Sequence, residues 1–218
     1  MTLHSAIVAD ARLAMAHVPA CAYLISDPPY NQDYHYSTYD DALTPAAYAD
    51  LIRGVFAGRQ SVVMHYPEEI INVVGPCLGP VFDVMAWVYP SNQGKQHRLV
   101  GWWGCKPDWR KVPQPYKNPK DRRVAALIAA GHQARGYDWV ENNHVKNVQN
   151  AGHPCPLPMA IAERLVLATT EPGDLVVDPF CGIGTILAAA KKHGRQCLGF
   201  DIDPTYVEMA NAWLGQVP

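Results

Sequence analysis

The sequence lacks several features that would assign it to other classes of protein. No apolar run approaches the roughly 18 residues of a transmembrane helix, and the N-terminus lacks the basic start and apolar stretch of a signal peptide. The 6 cysteines form no CxxC pair and the 9 histidines show no HxH or HExxH spacing, so neither a disulfide framework nor a metal site is predicted. These absences favour a cytoplasmic globular protein with no membrane partner.

Charged residues are scarce, at 17%, whereas 49% of the residues are hydrophobic and can form a sizeable core. The net charge of −2 conceals a pattern, because residues 93–147 carry 11 basic and 4 acidic side chains while both flanks are acidic. A basic centre between acidic flanks is a candidate surface for a polyanion. A solvated basic loop is the alternative interpretation.

Local patterns predict helices and strands along most of the chain. The apolar run Ala22–Ser26 is predicted to be a strand that two prolines terminate. Thr44–Phe56 is predicted to be a helix that Thr44 caps. Further strands are predicted at 61–66, 81–89 and 99–105, and further helices at 124–130 and 158–170. Within the third of these strands, Trp102 and Trp103 are expected to pack in the core rather than stack on a ligand.

The C-terminal segment predicts a strand–helix–strand unit. Strands at 174–178 and 196–200 flank an alanine-rich helix at 186–193, and a closing helix follows at 204–214. Parallel strands joined by a helix imply a doubly wound sheet and therefore an α/β fold.

A turn with two glycines separates the first strand of this unit from its helix. Gly182 and Gly184 allow the backbone to pass close to a ligand. Asp201, at the end of the next strand, is placed to accept hydrogen bonds from two ribose hydroxyls. The turn contains no basic residue, which favours a phosphate-free nucleoside cofactor over one with a pyrophosphate.

A second candidate site is the loop Asp27-Pro28-Pro29-Tyr30, which follows the first predicted strand. The prolines fix the loop and lack N–H donors, so the Asp27 carboxylate and the Pro28 carbonyl are acceptors suited to one amino group. Tyr30 is suited to stack on a flat group, which contributes about 1–3 kcal/mol for a nucleobase. A proline turn with a capping aspartate is the alternative interpretation.

These motifs together resemble those of the β-type S-adenosylmethionine-dependent DNA amino-methyltransferases. The catalytic motif of that family resembles Asp27–Asn31, and the order of motifs resembles its circularly permuted β arrangement. Other resembling segments are Ala9-Asp10, His153–Pro158, Asp178–Thr185 and Gly199–Tyr206. The resemblance implies a single Rossmann-like methyltransferase domain over residues 1–218, with a small basic target-recognition region inserted at about 106–149.

The resemblance also implies a role for each matching residue. The implied catalytic residues are Asp27, Pro28, Pro29 and Tyr30. The implied S-adenosylmethionine-binding residues are Asp10, His153, Pro154, Asp178, Pro179, Phe180, Cys181, Gly182, Gly184, Thr185, Asp201 and Ile202. The implied DNA-phosphate contacts are Lys106, Arg110, Lys111, Lys117, Lys120, Arg122, Arg123, Arg135 and Lys146, with Lys95 and Arg98 before them.

The implied reaction is direct in-line methyl transfer to N6 of an adenine that has left the DNA duplex. Cytosine N4 is the alternative target, although the family often has serine in place of Asp27 for cytosine. A non-catalytic DNA-binding subunit of a heterodimer is a further alternative, which the presence of both motifs disfavours. Double-stranded DNA is the expected substrate and a homodimer the expected assembly, in a restriction–modification system or as a phage orphan enzyme.

Overall fold

The computed structural model describes residues 3–34, 38–90, 94–143 and 156–218. Its strands are β1 (His4–Val8), β2 (Tyr23–Ser26), β3 (Gln60–His65), β4 (Asp83–Val88), β5 (His97–Trp103), β6 (Trp139–Glu141), β7 (Leu175–Asp178) and β8 (Gln196–Asp201). Its α-helices are α1 (Ala11–Ala14), α2 (Pro45–Phe56), α3 (Pro67–Glu69), α4 (Gly75–Leu78), α5 (Arg122–Ala129), α6 (Met159–Thr169), α7 (Thr185–Lys192) and α8 (Pro204–Gln216). A π-helical turn, Ile70–Val74, connects α3 to α4.

The strands form one sheet of 8 strands in the order β1-β8-β7-β2-β3-β5-β4-β6. Strand β5 is antiparallel to its neighbours β3 and β4, and all other described pairs are parallel. On one side of β7 lie β8 and β1, and on the other lie β2 and β3, so the loops that follow β7 and β2 diverge at a switch point of the sheet. This topology confirms the predicted doubly wound α/β fold with its permuted order of motifs.

The hydrophobic core is divided between the two faces of the sheet. On one face, residues of α6, α7 and α8 form a buried cluster that includes Trp102. On the other face, residues of α1 and α2 form a cluster that includes Trp103. Consecutive residues of a strand point to opposite faces, so Trp102 packs in one cluster and Trp103 in the other. Both side chains are buried, which confirms their predicted place in the core. In the described ranges, no helix has the length and hydropathy needed to cross a membrane.

The predicted helices and strands are confirmed with small shifts at their ends. Thr44 caps α2 as predicted, accepting a hydrogen bond from the backbone N–H of Ala47 at 3.3 Å. Two strands were not predicted from local patterns. Strand β1 lies at the edge of the sheet and buries only Ala6, and β6 is 3 residues long, so neither carries a distinct hydrophobic pattern.

Candidate active site

The two candidate loops lie side by side because the strands that precede them are neighbours. Strands β2 and β7 pair in parallel, with Leu24 opposite Val177. At their carboxyl ends, the Ser26 hydroxyl donates a hydrogen bond to Asp178 Oδ1 at 2.6 Å, and both residues are buried. The Asp27–Tyr30 loop therefore begins one residue away from a direct contact with the strand that leads into the glycine turn.

In the Asp27–Tyr30 loop, the Tyr30 hydroxyl donates a hydrogen bond to Asp27 Oδ1. Burial raises the pKa of Asp27, while the positive charge of Arg98 and the hydrogen bond from Tyr30 act in the opposite direction. Burial and the nearby Asp27 raise the pKa of Tyr30 well above its usual value, so the phenol remains a hydrogen-bond donor. The arrangement holds one carboxylate oxygen in place.

Two acceptors in this loop, here called open, have no hydrogen-bond donor among the described residues. Among the described residues, none donates a hydrogen bond to Asp27 Oδ2 or to the Pro28 carbonyl oxygen. The Pro29 carbonyl, in contrast, accepts a hydrogen bond from the Tyr48 hydroxyl at 2.8 Å. The loop thus has two open acceptors next to each other in the sequence, which is the pattern that an incoming amino group requires.

The prediction that Arg98 contacts DNA phosphate is wrong, because only 7% of this residue is exposed. It lies on β5, and its guanidinium carbon is 4.8–5.3 Å from the centroids of four aromatic rings, those of Tyr30, Tyr66, Trp87 and Tyr89. Cation–π contacts of this kind stabilise a buried guanidinium. Arg98 is therefore a component of the pocket around Tyr30, which sequence analysis did not identify.

The glycine turn has a conformation that its glycines make possible. Gly182 and Gly184 have positive φ values of 48° and 86°, and Gly184 caps the start of α7. A Cβ atom on Gly184 would lie 2.9 Å from the Cβ atom of Ala210, so the turn is also packed closely against α8. Pro179, Phe180, Cys181 and Thr185 lie in or beside the same turn, as the sequence predicted.

Asp201 closes the opposite side of this turn. Its Oδ2 accepts a hydrogen bond from the backbone N–H of Gly182 at 2.9 Å, and its Oδ1 accepts one from the backbone N–H of Asp203 at 2.9 Å. Each oxygen has a second lone pair available for another donor. Burial raises the pKa of Asp201, and the backbone donors act in the opposite direction.

Asp178 is the most deeply buried of these acids, with 3% of the residue exposed. Burial raises its pKa to about 7, against the hydrogen bonds from Ser26 and from the backbone N–H of Phe180, which act to lower it. This carboxyl group is therefore partly protonated near neutral pH.

The remaining predicted cofactor-binding residues differ in how they are placed. The backbone N–H of Ala9 donates to the Asp201 carbonyl at 2.9 Å, so the adjacent Asp10 lies at the same edge of the sheet. The Asp10 carboxylate, however, caps α1 and forms an ion pair with Arg12 at 2.6 Å. Ile202 follows Asp201 and is exposed. His153 and Pro154 lie outside the described residues.

The loop after Tyr30 is organised by a residue that sequence analysis assigned no role. Asp41 is buried and accepts hydrogen bonds from the backbone N–H groups of Asn31 at 2.8 Å, Gln32 at 3.0 Å and Tyr34 at 3.2 Å. The Asn31 side chain also donates to the Leu43 carbonyl at 3.0 Å and accepts from the Leu43 N–H at 2.7 Å. The segment next to the predicted catalytic motif is therefore fixed by its own side chains.

The predicted DNA-binding residues fall into two groups. One group contacts other residues of the protein: Lys95 pairs with Glu68, Arg110 with Asp108 and Lys111 with Glu171, while Lys106 lies over the Phe82 ring and Lys117 over the Tyr137 and Trp139 rings. The second group is exposed, with no ion-pair partner in the part of the chain that the structure describes, and consists of Lys120, Arg122, Arg123 and Arg135. Lys146 lies outside the described residues.

Comparison with known proteins identifies matching sequences over most of the chain. The DNA methylase family model N6_N4_Mtase matches residues 22–212. The type II methyltransferase M.HpaI of Haemophilus parainfluenzae is 29% identical over 213 residues, covering 86% of this chain and 66% of that protein. The DNA adenine methyltransferase YhdJ of Escherichia coli K12 is 29% identical over 143 residues, covering 65% of this chain and 42% of that protein. The chain thus spans less than two thirds of the length of these relatives.

Solved structures share the fold. The M1.HpyAVI–SAM complex superposes with a TM-score of 0.64 at 18% identity, covering 96% of this chain and 98% of that one. The PvuII DNA methyltransferase, described as cytosine-N4-specific, superposes with a TM-score of 0.63 at 18% identity, covering 98% of this chain and 87% of that one. At this level of identity the likeness establishes the architecture alone.

Proposed function

The chain belongs to the N6/N4 DNA methylase family, and from this premise we propose that it transfers a methyl group from S-adenosylmethionine to the exocyclic N6 of adenine in DNA. The observation that carries the proposal is the contact between the ends of the two strands that lead into these loops. Ser26 and Asp178 join the ends of β2 and β7 at 2.6 Å, so a base bound at Asp27 would lie beside a cofactor bound at the glycine turn. Catalysis by proximity requires this arrangement.

The residues of the glycine turn fit S-adenosylmethionine. Both oxygens of Asp201 retain a lone pair for the ribose hydroxyls, because each accepts one described backbone hydrogen bond. The segment Asp178–Thr185 contains no basic side chain, which suits a nucleoside without phosphate. When bound, the cofactor supplies an electrophilic methyl group on a positively charged sulfur, and the nearby acids are compatible with that charge.

The Asp27–Tyr30 loop is suited to activate an amino group. The exocyclic nitrogen of adenine is a poor nucleophile because its lone pair is delocalised into the ring. Asp27 Oδ2 and the Pro28 carbonyl, the two open acceptors, would bind the two amino hydrogens and favour a pyramidal nitrogen whose lone pair is directed at the methyl group. After transfer, the extra proton on nitrogen leaves to Asp27 or to water.

The choice of adenine over cytosine rests on Asp27. The resemblance of the Asp27–Tyr30 motif to that of the family implies this choice, because the family often has serine in place of Asp27 for cytosine, so the carboxylate here favours adenine. The relatives and neighbours themselves include one protein named for adenine and one for cytosine-N4. The geometry of two acceptors for one amino group suits either base, so the base identity is the finer part of the proposal.

Binding to DNA is proposed to use the exposed part of the basic region. Lys120, Arg122 and Arg123 follow one another closely at the start of α5, and all three side chains are exposed. Contacts of this type to phosphate contribute affinity without sequence information. Double-stranded DNA and a homodimeric assembly remain predictions from the sequence.

Two substitutions separate the proposed roles of the loops. Asp27→Ala is expected to lower the rate of methyl transfer at least about a hundredfold and to leave the affinity for S-adenosylmethionine nearly unchanged, because it removes an acceptor for the base. Asp201→Ala is expected to weaken S-adenosylmethionine binding at least about tenfold, because it removes the proposed ribose acceptor. Calorimetry measures the affinity, and tritium transfer to unmethylated duplex DNA measures the rate.

The exposed Asp50, which pairs with Arg53 on α2, provides the matched control as Asp50→Ala, with both quantities expected at wild-type values. A large loss of cofactor affinity in Asp27→Ala would show that Asp27 belongs to the cofactor site and not to the site of the target base. Unchanged affinity in Asp201→Ala would remove it from the ribose site.

A further inference from the structure

A chain of hydrogen bonds reaches the Asp27–Tyr30 loop from behind. The backbone N–H of Tyr66 donates to Nδ1 of His65 at 2.7 Å. The other ring nitrogen, Nε2, lies 2.8 Å from the Tyr48 hydroxyl, which in turn lies 2.8 Å from the Pro29 carbonyl oxygen. These contacts link β3 and α2 to the loop that contains both open acceptors.

The direction of each hydrogen bond in the chain is determined by its first member. Because Nδ1 of His65 accepts from a backbone N–H, it carries no proton, and the proton of the neutral imidazole is on Nε2. Nε2–H must then donate to the Tyr48 oxygen, which leaves the single Tyr48 proton for the Pro29 carbonyl. Every donor and acceptor is used once, and no alternative arrangement with a neutral ring satisfies all three contacts.

The surroundings maintain the neutral form of His65. The side chain is completely buried on β3. Burial lowers its pKa to about 3, and the positive charge of Arg98 contributes in the same direction. The imidazole also stacks on the Tyr30 ring, with centroids 4.4 Å apart and an interplanar angle of 24°. His65 therefore contacts the loop through Tyr48 on one side and through Tyr30 on the other.

We propose that His65 and Tyr48 are positioning residues for methyl transfer, which fix the Pro29 carbonyl and thereby hold the Asp27 and Pro28 acceptors in the geometry that the target amino group requires. The inference rests on the proposed function. Neither residue is proposed to touch the base or the cofactor, and both act through the peptide that follows Pro29. Small displacements of positioned groups are costly in rate, because the reacting atoms must meet in a narrow range of distances.

The direct test is Tyr48→Phe, which keeps the buried ring and removes only the hydroxyl. The rate of methyl transfer under single-turnover conditions, at saturating DNA and S-adenosylmethionine, is expected to fall about tenfold, the loss that one hydrogen bond at the strong end of the usual range represents. The affinity for S-adenosylmethionine is expected to stay within about twofold of wild type. Tyr23→Phe, at the opposite end of β2, is the control and is expected to retain the full rate.

Two substitutions at His65 test the link independently and decide the matter if Tyr48→Phe does not fold. His65→Phe keeps an aromatic ring against Tyr30 but has no donor for Tyr48, whereas His65→Gln supplies an amide N–H near the position of Nε2. A faster rate in His65→Gln than in His65→Phe supports the hydrogen-bonded chain, and the reverse order overturns it. In the double variant Tyr48→Phe/His65→Phe, the loss is expected to be smaller than the product of the two single losses.

The outcomes distinguish this inference from the proposed function. An inactive wild-type protein would remove both. If the wild-type protein is active and Tyr48→Phe retains the full rate, the inference alone is contradicted. A rate loss in Tyr48→Phe accompanied by an equal loss of cofactor affinity would also overturn it, because a general disturbance of the fold would then explain the effect.

Discussion

Asp27, Asp178 and Asp201 are three carboxylates at one edge of the sheet, and their different surroundings assign them different tasks. Asp27 has one oxygen with no donor among the described residues. Asp201 accepts two backbone hydrogen bonds and is half-buried, which suits a ligand with hydroxyl groups. Asp178 is buried between the two loops, where Ser26 and the Phe180 N–H bind its Oδ1. The burial of Asp178 has a measurable consequence for stability.

Asp178 is expected to make the folded protein less stable as the pH rises. Its pKa is raised from 3.8 to about 7 in the folded state. Between these values the unfolded chain loses the proton while the folded chain keeps it, so the free energy of unfolding falls with increasing pH and levels off above about 7. Asp178→Asn preserves an acceptor oxygen without the charge. The free energy of unfolding of the variant, relative to that of wild type, is therefore expected to be higher at about pH 8 than at about pH 5, by about 2 kcal/mol.

Denaturant unfolding of both proteins at the two pH values measures this gain. A difference in stability between Asp178→Asn and wild type that is the same at both pH values would contradict the assigned burial effect.

Which side chains form the site was predictable only in part from the sequence. Asp27 and Asp201 occur in short motifs whose chemistry is evident from residue type and from their position after a strand. Arg98 was attributed to a basic surface because its neighbours in the sequence are basic. Side chains alternate between the two faces of a strand, however, and on β5 the Arg98 side chain points to the buried side, next to Tyr30. The role of His65 depends on a contact with Tyr48, a residue on a different element, which no local pattern contains.

The loops and strands also differ in whether nearby residues or distant ones specify them. Turn chemistry and capping predicted α2 and the glycine turn, since both are specified within a few residues. Strand β6 depends on β4, to which it pairs in parallel with Val140 opposite Trp87, and its own three residues do not specify a strand. Through this pairing the basic region is attached to the main sheet. The conformation of residues 31–34 likewise depends on Asp41, which is ten residues from the first N–H that it binds.

Removing the Asp41 carboxylate is expected to loosen the loop next to the catalytic motif. Asp41→Ala leaves the backbone N–H groups of Asn31, Gln32 and Tyr34 without their acceptor, so these amides should exchange hydrogen faster and the free energy of unfolding should fall by about 2 kcal/mol. Hydrogen-exchange mass spectrometry measures the first effect. Asp40→Ala is the matched control, since the exposed Asp40 accepts, among the described residues, only from the N–H of Ala42. Unchanged exchange in Asp41→Ala would show that the loop is held by other contacts.

Considered over its full length, the chain separates charge along the sequence. The acidic N-terminal part contains the proposed catalytic motif, whereas residues 93–147 carry the excess of basic side chains. This distribution predicted a polyanion as partner, and membership of a DNA methylase family agrees with that prediction. The structure adds that part of the basic group is engaged in contacts within the protein, so the exposed side chains at the start of α5 are the ones to test.

Combined substitution of Lys120, Arg122 and Arg123 by alanine is expected to weaken DNA binding to the same extent for all DNA sequences. Removal of one phosphate-binding cation should reduce the slope of log affinity against log salt concentration by about 0.9, so a decrease of about 2 to 3 is expected for the three. Fluorescence anisotropy at several salt concentrations measures the slope. Arg53→Ala, on α2, is the control for the removal of an exposed cation. A slope equal to that of wild type would exclude this surface from the DNA interface.

The central claim, methyl transfer to the amino group of adenine, is tested most directly by identifying the methylated nucleoside. Purified protein is incubated with labelled S-adenosylmethionine and unmethylated double-stranded DNA, and the DNA is digested to nucleosides for mass spectrometry. Label is expected in N6-methyladenine. Label in N4-methylcytosine would contradict the assignment of the base, and absence of label from DNA, with cofactor binding intact, would contradict the proposed activity.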